Sequence, residues 1–366
     1  MKQVKCNVLD RQYFAHKEEY DDAALRVLNS GWYIIGKEVE KFEEEFKTHV
    51  GSKFCVGLNS GLDALILAVR ALGIGKGDEV IVQANTYIAT VLGITDNDAT
   101  PVYVEPNEYF NIDPTKIESA ITNKTKAIMV VHLYGQASQM DKIMEIANRH
   151  NIPVIEDCAQ SHDSCFKGKM TGTFGTIGCF SFYPTKNLGA FGDAGCIVTD
   201  NEELANKIRM MRNYGSKVKY HNELEGVNSR LDEMQAALLR VKLSHMDEIN
   251  KERYVLGKRY YEGIKNPLII KPETLEGVNH VYHQFVIRCD RRDELHDFLE
   301  KNGIQTQIHY PIPPHLAECY KWQGYKVGSF PITEKYANTV LSLPLYGGMT
   351  KEEQDYVIEV LNKFGK

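Results

Sequence analysis

The middle of the chain alternates short apolar runs with amphipathic stretches. Runs rich in Val and Ile predict strands buried on both faces at residues 54–58, 79–82, 101–104, 127–132, 154–157, 177–182 and 195–199. Between them, apolar residues recur at helical spacing, as at Leu62, Leu65, Ile66 and Val69. The pattern predicts an α/β domain whose mostly parallel mixed sheet is covered by helices.

A different pattern follows residue 230. One long amphipathic stretch at 230–261 predicts a helix that bridges two domains. A strand at 281–287, a helix at 292–301, a strand at 305–309 and a helix at 352–364 then predict a smaller C-terminal α+β domain. We expect a large domain at 1–250 and a small one at 251–366.

Composition narrows the class of protein. The net charge of −6 argues against a protein that binds duplex nucleic acid. No run of about 18 apolar residues is present and the N-terminus opens no signal-peptide core, so neither a membrane span nor secretion is expected. The eight cysteines contain no CxxC pair, which argues against a zinc site or other metal centre and favours free thiols in the cytoplasm.

Two residues at predicted strand ends carry the main chemical signal. Lys186 lies in a Gly-rich turn after the strand at 177–182, where an amine can form a Schiff base with a carbonyl cofactor. Asp157 ends the strand at 154–157, and a buried carboxylate there needs a partner such as a protonated pyridine nitrogen. Taken singly, each has a plainer interpretation, a surface lysine or a helix-capping aspartate.

Two further segments suit a phosphate. Ser60 and Gly61 join a strand to a helix, and Ser60 with Asp63 predicts a helix cap whose free N–H groups can bind an anion. Ser181 is a second candidate donor. An ordinary capped helix and a plain strand residue remain the alternatives.

Other candidates flank these positions. Gln160 can reach the same ligand as Asp157, and Tyr87 can stack on a flat heterocycle or simply pack under its loop. The glycines of residues 73–78 do not form a dinucleotide-binding loop, because they follow a helix and precede a strand.

Together these residues resemble the PLP-dependent nucleotide-sugar aminotransferases of the DegT family, which have the aspartate-aminotransferase fold (PLP fold type I). The resemblance covers nearly the whole chain and is most specific over residues 180–195. Other matching stretches are 59–65, 75–82, 127–135, 154–160, 228–237, 309–311 and 341–344.

The resemblance implies a role for each candidate. Lys186 would bind pyridoxal 5′-phosphate (PLP) as a Schiff base, and Asp157 would keep the pyridine nitrogen protonated. The remaining cofactor contacts would be Gln160 at the phenolic oxygen, Tyr87 on the ring, and Ser60, Gly61 and Ser181 at the phosphate. Asn228 would reach the phosphate held by a neighbouring subunit, which implies a homodimer with shared active sites.

The resemblance also implies the reaction. L-glutamate would give its amino group to the cofactor, leaving 2-oxoglutarate and pyridoxamine phosphate, and a keto-sugar nucleotide would then accept it. Residues 30–36, 104–106 and 309–316 look most like enzymes that aminate C-3 of dTDP-3-oxo-6-deoxyhexoses, as in lipopolysaccharide or S-layer glycan biosynthesis. Candidates for the sugar pocket are Tyr183, His309, Tyr310 and His162, with domain packing as the alternative for His309 and Tyr310.

Three other functions are compatible with parts of this sequence pattern. A C-4 sugar aminotransferase of the same family is the main alternative. A related sugar dehydratase would carry histidine in place of Lys186, and a catalytically silent regulator would have lost a site residue.

Overall fold

The computed structural model describes residues 3–366. Its strands are β1 (Phe54–Leu58), β2 (Glu79–Gln83), β3 (Thr100–Val104), β4 (Thr125–Val131), β5 (Val154–Asp157), β6 (Cys165–Phe166), β7 (Lys169–Met170), β8 (Ile177–Ser181), β9 (Gly195–Thr199), β10 (Ser216–Val218), β11 (His221–Asn222), β12 (Val278–Asn279), β13 (Phe285–Arg288) and β14 (Val340–Leu343). Its α-helices are α1 (Leu9–Ala15), α2 (Lys17–Ser30), α3 (Lys37–Val50), α4 (Gly61–Ala71), α5 (Ile88–Thr95), α6 (Pro114–Ala120), α7 (Met140–His150), α8 (Glu202–Met211), α9 (Glu233–Ser244), α10 (Met246–Gly263), α11 (Arg292–Lys301), α12 (Pro331–Thr339) and α13 (Lys351–Lys363).

A seven-stranded sheet organises the larger part of the chain. Its strand order is β1-β9-β8-β5-β4-β2-β3, and only β9 runs antiparallel to its neighbours. Because β2, β4, β5 and β8 are parallel, their carboxyl ends and the loops that follow meet at one edge. Ligands of open α/β sheets bind at this edge.

Helices cover both faces of the sheet. One core packs α4, α5 and α8 on the sheet, and another packs α7 on the opposite face. A separate core joins α10, α11 and α13 to β13 and β14, and it includes Val4 from the N-terminal segment. The fold class is therefore the predicted α/β type with a mostly parallel mixed sheet, while the domain division at residue 250 stays a prediction.

The seven predicted strands of the sheet are confirmed to within two residues at each end. The helix predicted at 230–261 is two helices, because His245 leaves helical geometry (φ −107°, ψ 10°) between α9 and α10. The strand predicted at 305–309 is wrong. Only Gln307 pairs there, with Ser342, and the longer pairing partner of β14 is β13. No helix within residues 3–366 combines the length and apolar character needed to cross a bilayer.

Candidate active site

A cavity of about 500 Å³ opens at the carboxyl ends of the parallel strands. Ten of the twelve residues selected from the sequence line it: Ser60, Gly61, Tyr87, Asp157, Gln160, Ser181, Tyr183, Lys186, His309 and Tyr310. They come from strand ends, loops and a helix start that lie far apart in the sequence, and the sheet brings them together.

Lys186 projects from the turn that follows β8. Its backbone N–H donates to the Tyr183 carbonyl (2.8 Å), which closes the turn, and the next residue, Asn187, is anchored by its amide to the Val281 carbonyl (3.0 Å). The Lys186 amine has no hydrogen-bond partner among residues 3–366. Burial lowers the pKa of this amine to about 8, with the charge of Asp157 opposing the shift. An amine with so low a pKa is a nucleophile near neutral pH.

Asp157 is buried at the end of β5. Its Oδ2 accepts from the Thr90 hydroxyl (2.8 Å) and its Oδ1 accepts from the Ala159 N–H (3.1 Å). Burial raises the pKa of this carboxyl, and these two hydrogen bonds oppose the shift. A cationic ligand beside Asp157 would favour the ionised form.

The start of α4 forms one end of the cavity. The Ser60 hydroxyl accepts from the Asp63 N–H (3.1 Å), so the predicted helix cap is confirmed. Gly61 packs against Ser181 so closely that a Cβ on Gly61 would lie 2.4 Å from the Ser181 Cβ. A glycine is required at this contact, which places the Ser181 side chain beside the helix N-terminus. Such an end suits an anion.

Gln160 and two aromatic residues line the cavity near Asp157. The Gln160 amide donates to the Tyr310 hydroxyl (3.0 Å), and its oxygen accepts from the Tyr134 N–H (2.7 Å). The Tyr87 ring is half-exposed and lies 5.0 Å from the Tyr310 ring. A flat ligand can stack on such an exposed ring.

The remaining two candidates lie outside the cavity lining. His162 is buried against the rings of Phe180 and Phe182, each 5.7 Å away, so it packs beside the cavity and does not line it. Asn228 is exposed on the surface before α9. An exposed position is what a contact to a neighbouring subunit requires.

Sequence reasoning missed three residues near the site. Thr90 binds Asp157, and His283 and Gln284 line the cavity beside Lys186. The sequence indicates that Asp157, as a buried carboxylate, needs a hydrogen-bond donor. No local pattern distinguished Thr90 or the two residues before β13.

The comparison with known proteins agrees with the chemistry of this cavity. The model of the DegT/DnrJ/EryC1/StrS aminotransferase family matches residues 15–362. The dTDP-3-amino-3,6-dideoxy-α-D-galactopyranose transaminase of Aneurinibacillus thermoaerophilus is 51% identical over 96% of each chain. The dTDP-3-amino-3,4,6-trideoxy-α-D-glucose transaminase of Streptomyces venezuelae is 45% identical over 98% of this chain and 95% of that one.

A solved structure shares the fold and contains the cofactor. The structure of NtdA from Bacillus subtilis with bound pyridoxamine phosphate has a TM-score of 0.91 and 36% identity, over 99% of this chain and 85% of that one. The cavity beside Lys186 fits this cofactor, because a partnerless amine, a buried carboxylate and a helix N-terminus face one space. The chain therefore belongs to the DegT/DnrJ/EryC1/StrS aminotransferase family and is a PLP-dependent aminotransferase.

Proposed function

We propose that this chain transfers the amino group of L-glutamate to C-3 of a dTDP-linked 3-oxo-6-deoxyhexose. The relatives from Aneurinibacillus thermoaerophilus and Streptomyces venezuelae carry names that specify a dTDP sugar with an amino group at position 3. Their names differ at C-4, which carries a hydroxyl in the galactose derivative and none in the 4-deoxy glucose derivative. The observation that carries the proposal is the partnerless Lys186 amine beside buried Asp157 in a chain so similar to these enzymes.

When bound, PLP supplies an electron sink and carries the amino group between the two substrates. In the proposed roles, Lys186 anchors the cofactor and, once released, moves a proton between the substrate carbon and the cofactor. The Asp157 carboxylate holds a proton on the pyridine nitrogen, and Thr90 holds the carboxylate. Ser60, Gly61 and Ser181 bind the phosphate, while Tyr87 and Gln160 orient the ring.

For the sugar nucleotide we propose contacts at the mouth of the cavity. Tyr183 is half-exposed there, and the Tyr310 hydroxyl is held by Gln160. His309 lines the same cavity, and burial beside Lys186 lowers its pKa to about 4, so it is neutral at physiological pH.

We also propose that the enzyme is a cytoplasmic homodimer whose sites are shared through Asn228. Supporting this, an exposed aromatic surface adjoins the start of α9: Trp32, Tyr33 and Tyr214 are each at least half-exposed. Large exposed aromatic groups of this kind mark protein–protein contacts. The free cysteines fit a reducing compartment.

The decisive experiment incubates the enzyme with PLP, L-glutamate and a panel of dTDP-3-oxo and dTDP-4-oxo sugars. NMR of the products is expected to show a new C–N bond at C-3. Amination of only the 4-oxo sugars would replace this proposal by the C-4 alternative, and no amination at all would reject both.

A further inference from the structure

Two histidines line the cavity beside Lys186, and they differ in what they can offer a ligand. His309 has both ring nitrogens engaged, Nδ1 with the Ser342 hydroxyl (2.8 Å) and Nε2 with the Gln284 amide (3.0 Å). The imidazole of His283 is held only at Nδ1, by Asn187 Oδ1 (3.3 Å). Its Nε2 has no hydrogen-bond partner among residues 3–366. This nitrogen is not fully buried by protein atoms, and the residue lines the cavity.

The hydrogen bonds around Asn187 fix the tautomer of His283. The Asn187 amide nitrogen donates to the Val281 carbonyl (3.0 Å) and to Asn250 Oδ1 (2.8 Å), so Asn187 Oδ1 can only be the acceptor facing His283. His283 must therefore carry its proton on Nδ1. In the neutral ring, Nε2 is then an unprotonated acceptor that faces the cavity.

The position of His283 is fixed as firmly as its tautomer. The buried Arg253 guanidinium donates to the carbonyls of Tyr282 (3.1 Å) and His283 (2.7 Å). The side chain is tied through Asn187, the residue directly after Lys186. The imidazole and the lysine turn thus form one unit, although their segments lie about a hundred residues apart.

We propose that His283 is a positioning residue for Lys186: its Nε2 accepts a hydrogen bond from the Lys186 ammonium when that group is released from the cofactor. A fixed acceptor would hold the amine near the cofactor while it moves protons. A hydrogen bond to a charged group is stronger than one between neutral groups, so its loss should be measurable.

Burial and the charges around His283 keep it neutral, as this role requires. Burial lowers its pKa well below the ordinary value, and the neighbouring Lys186, Arg253, His162 and His309 lower it further. Among these groups Lys186 is the cation that also lines the cavity.

Two substitutions at His283 test the roles of its two ring nitrogens separately. His283→Asn keeps an amide N–H near Nδ1 and removes the acceptor at Nε2, whereas His283→Gln places an amide oxygen near Nε2. His280→Gln is the matched control, because His280 is equally buried (6% exposed for both), lies in the same segment and does not line the cavity.

The first measurement is the single-turnover rate of the glutamate half-reaction in cofactor-loaded enzyme. We expect His283→Asn to slow it about 10- to 100-fold, the range for loss of a hydrogen bond to a charged group, and His283→Gln and His280→Gln to stay within about threefold. A purely structural role of the Nδ1 contact with Asn187 predicts that the Gln variant, which loses this contact, is at least as slow as the Asn variant. That result would show that the acceptor role of Nε2 is wrong. An Asn variant at the wild-type rate would equally overturn it.

The second measurement uses protein loaded with pyridoxamine phosphate, in which the Lys186 amine is released from the cofactor, and needs no turnover. The rate at which formaldehyde and cyanoborohydride methylate Lys186, followed by peptide mass spectrometry, reports the pKa of this amine. We expect that pKa to fall in His283→Asn, which loses an acceptor for the ammonium, and to be kept in His283→Gln; an unchanged pKa in the Asn variant would contradict the proposal.

The inference rests on Lys186 being the cofactor-binding amine of the proposed function. Failure of borohydride to link PLP to Lys186 in wild type would overturn that function, whereas failure of the variant pattern alone would overturn only the role of His283.

Discussion

The Thr90 hydroxyl donates to Asp157 Oδ2 at 2.8 Å and ties α5 to the end of β5. Thr90 has a single hydroxyl proton, so the 2.6 Å contact between Thr86 and Thr90 must use the proton of Thr86. The two threonines therefore form a directed chain of hydrogen bonds that ends on the carboxylate proposed to hold the pyridine nitrogen.

We expect Thr90→Val to lower kcat about tenfold by removing the donor, and Thr90→Ser to retain most activity. Steady-state rates at saturating PLP test this, and equal rates in the two variants would contradict it.

Asp157→Asn keeps the size of the side chain and removes its charge. A charge-assisted hydrogen bond is about twice as strong as a neutral one, so the pyridine nitrogen should lose its proton. We expect the variant to bind PLP and turnover to collapse. Cofactor content by absorbance and kcat are measured on the same sample. Turnover at the wild-type rate would assign Asp157 a purely structural role.

Lys186 should be the attachment point of the cofactor. The purified protein is expected to be yellow, and borohydride should link PLP to this residue in a peptide map. Lys186→Ala should still bind the cofactor through its phosphate but lose turnover by several orders of magnitude, since both anchor and base are gone. A label on another lysine would refute the assignment.

The low pKa of Lys186 has a consequence for the apoprotein. Burial lowers this pKa from the ordinary 10.5 to about 8, so the folded state resists protonation. Below pH 8 the full destabilisation is present, and stability increases as the pH rises from 8 toward 10.5. Lys186→Met should therefore raise the apoprotein melting temperature by about 2–4 °C at pH 7 and by less at pH 10. Thermal scans at both pH values provide the measurement, and a difference that grows with pH would contradict the sign.

Shared active sites predict complementation. Lys186→Ala and Asn228→Asp should each be inactive, the second because its carboxylate repels the phosphate. In a mixed dimer, one site carries both changes and the other carries neither. Activity should then recover toward about half of wild type per dimer at full heterodimer yield. Verified heterodimers as inactive as their parents, or an active wild-type monomer, would rule out sharing through Asn228.

The sequence by itself determined the sheet strands and singled out Lys186 and Asp157 as candidate site residues, and both line the cavity. Strands buried on both faces are continuous apolar runs, and a charged residue that ends such a run is visible without coordinates. The same local reasoning identified the Ser60 cap, which depends on residues three apart.

Only the tertiary structure decided which side chains meet across the sheet and between its loops. His162 follows Gln160 by two residues, yet the chain turns it under Phe180 and away from the cavity. The strand predicted at 305–309 failed because pairing depends on a distant partner, and β14 pairs over four residues with β13. The hydrogen bond to Asn187, 96 residues away, engages Nδ1 of His283 and leaves Nε2 without a partner among residues 3–366. Such contacts depend on packing between remote segments, so periodicity along the chain does not encode them.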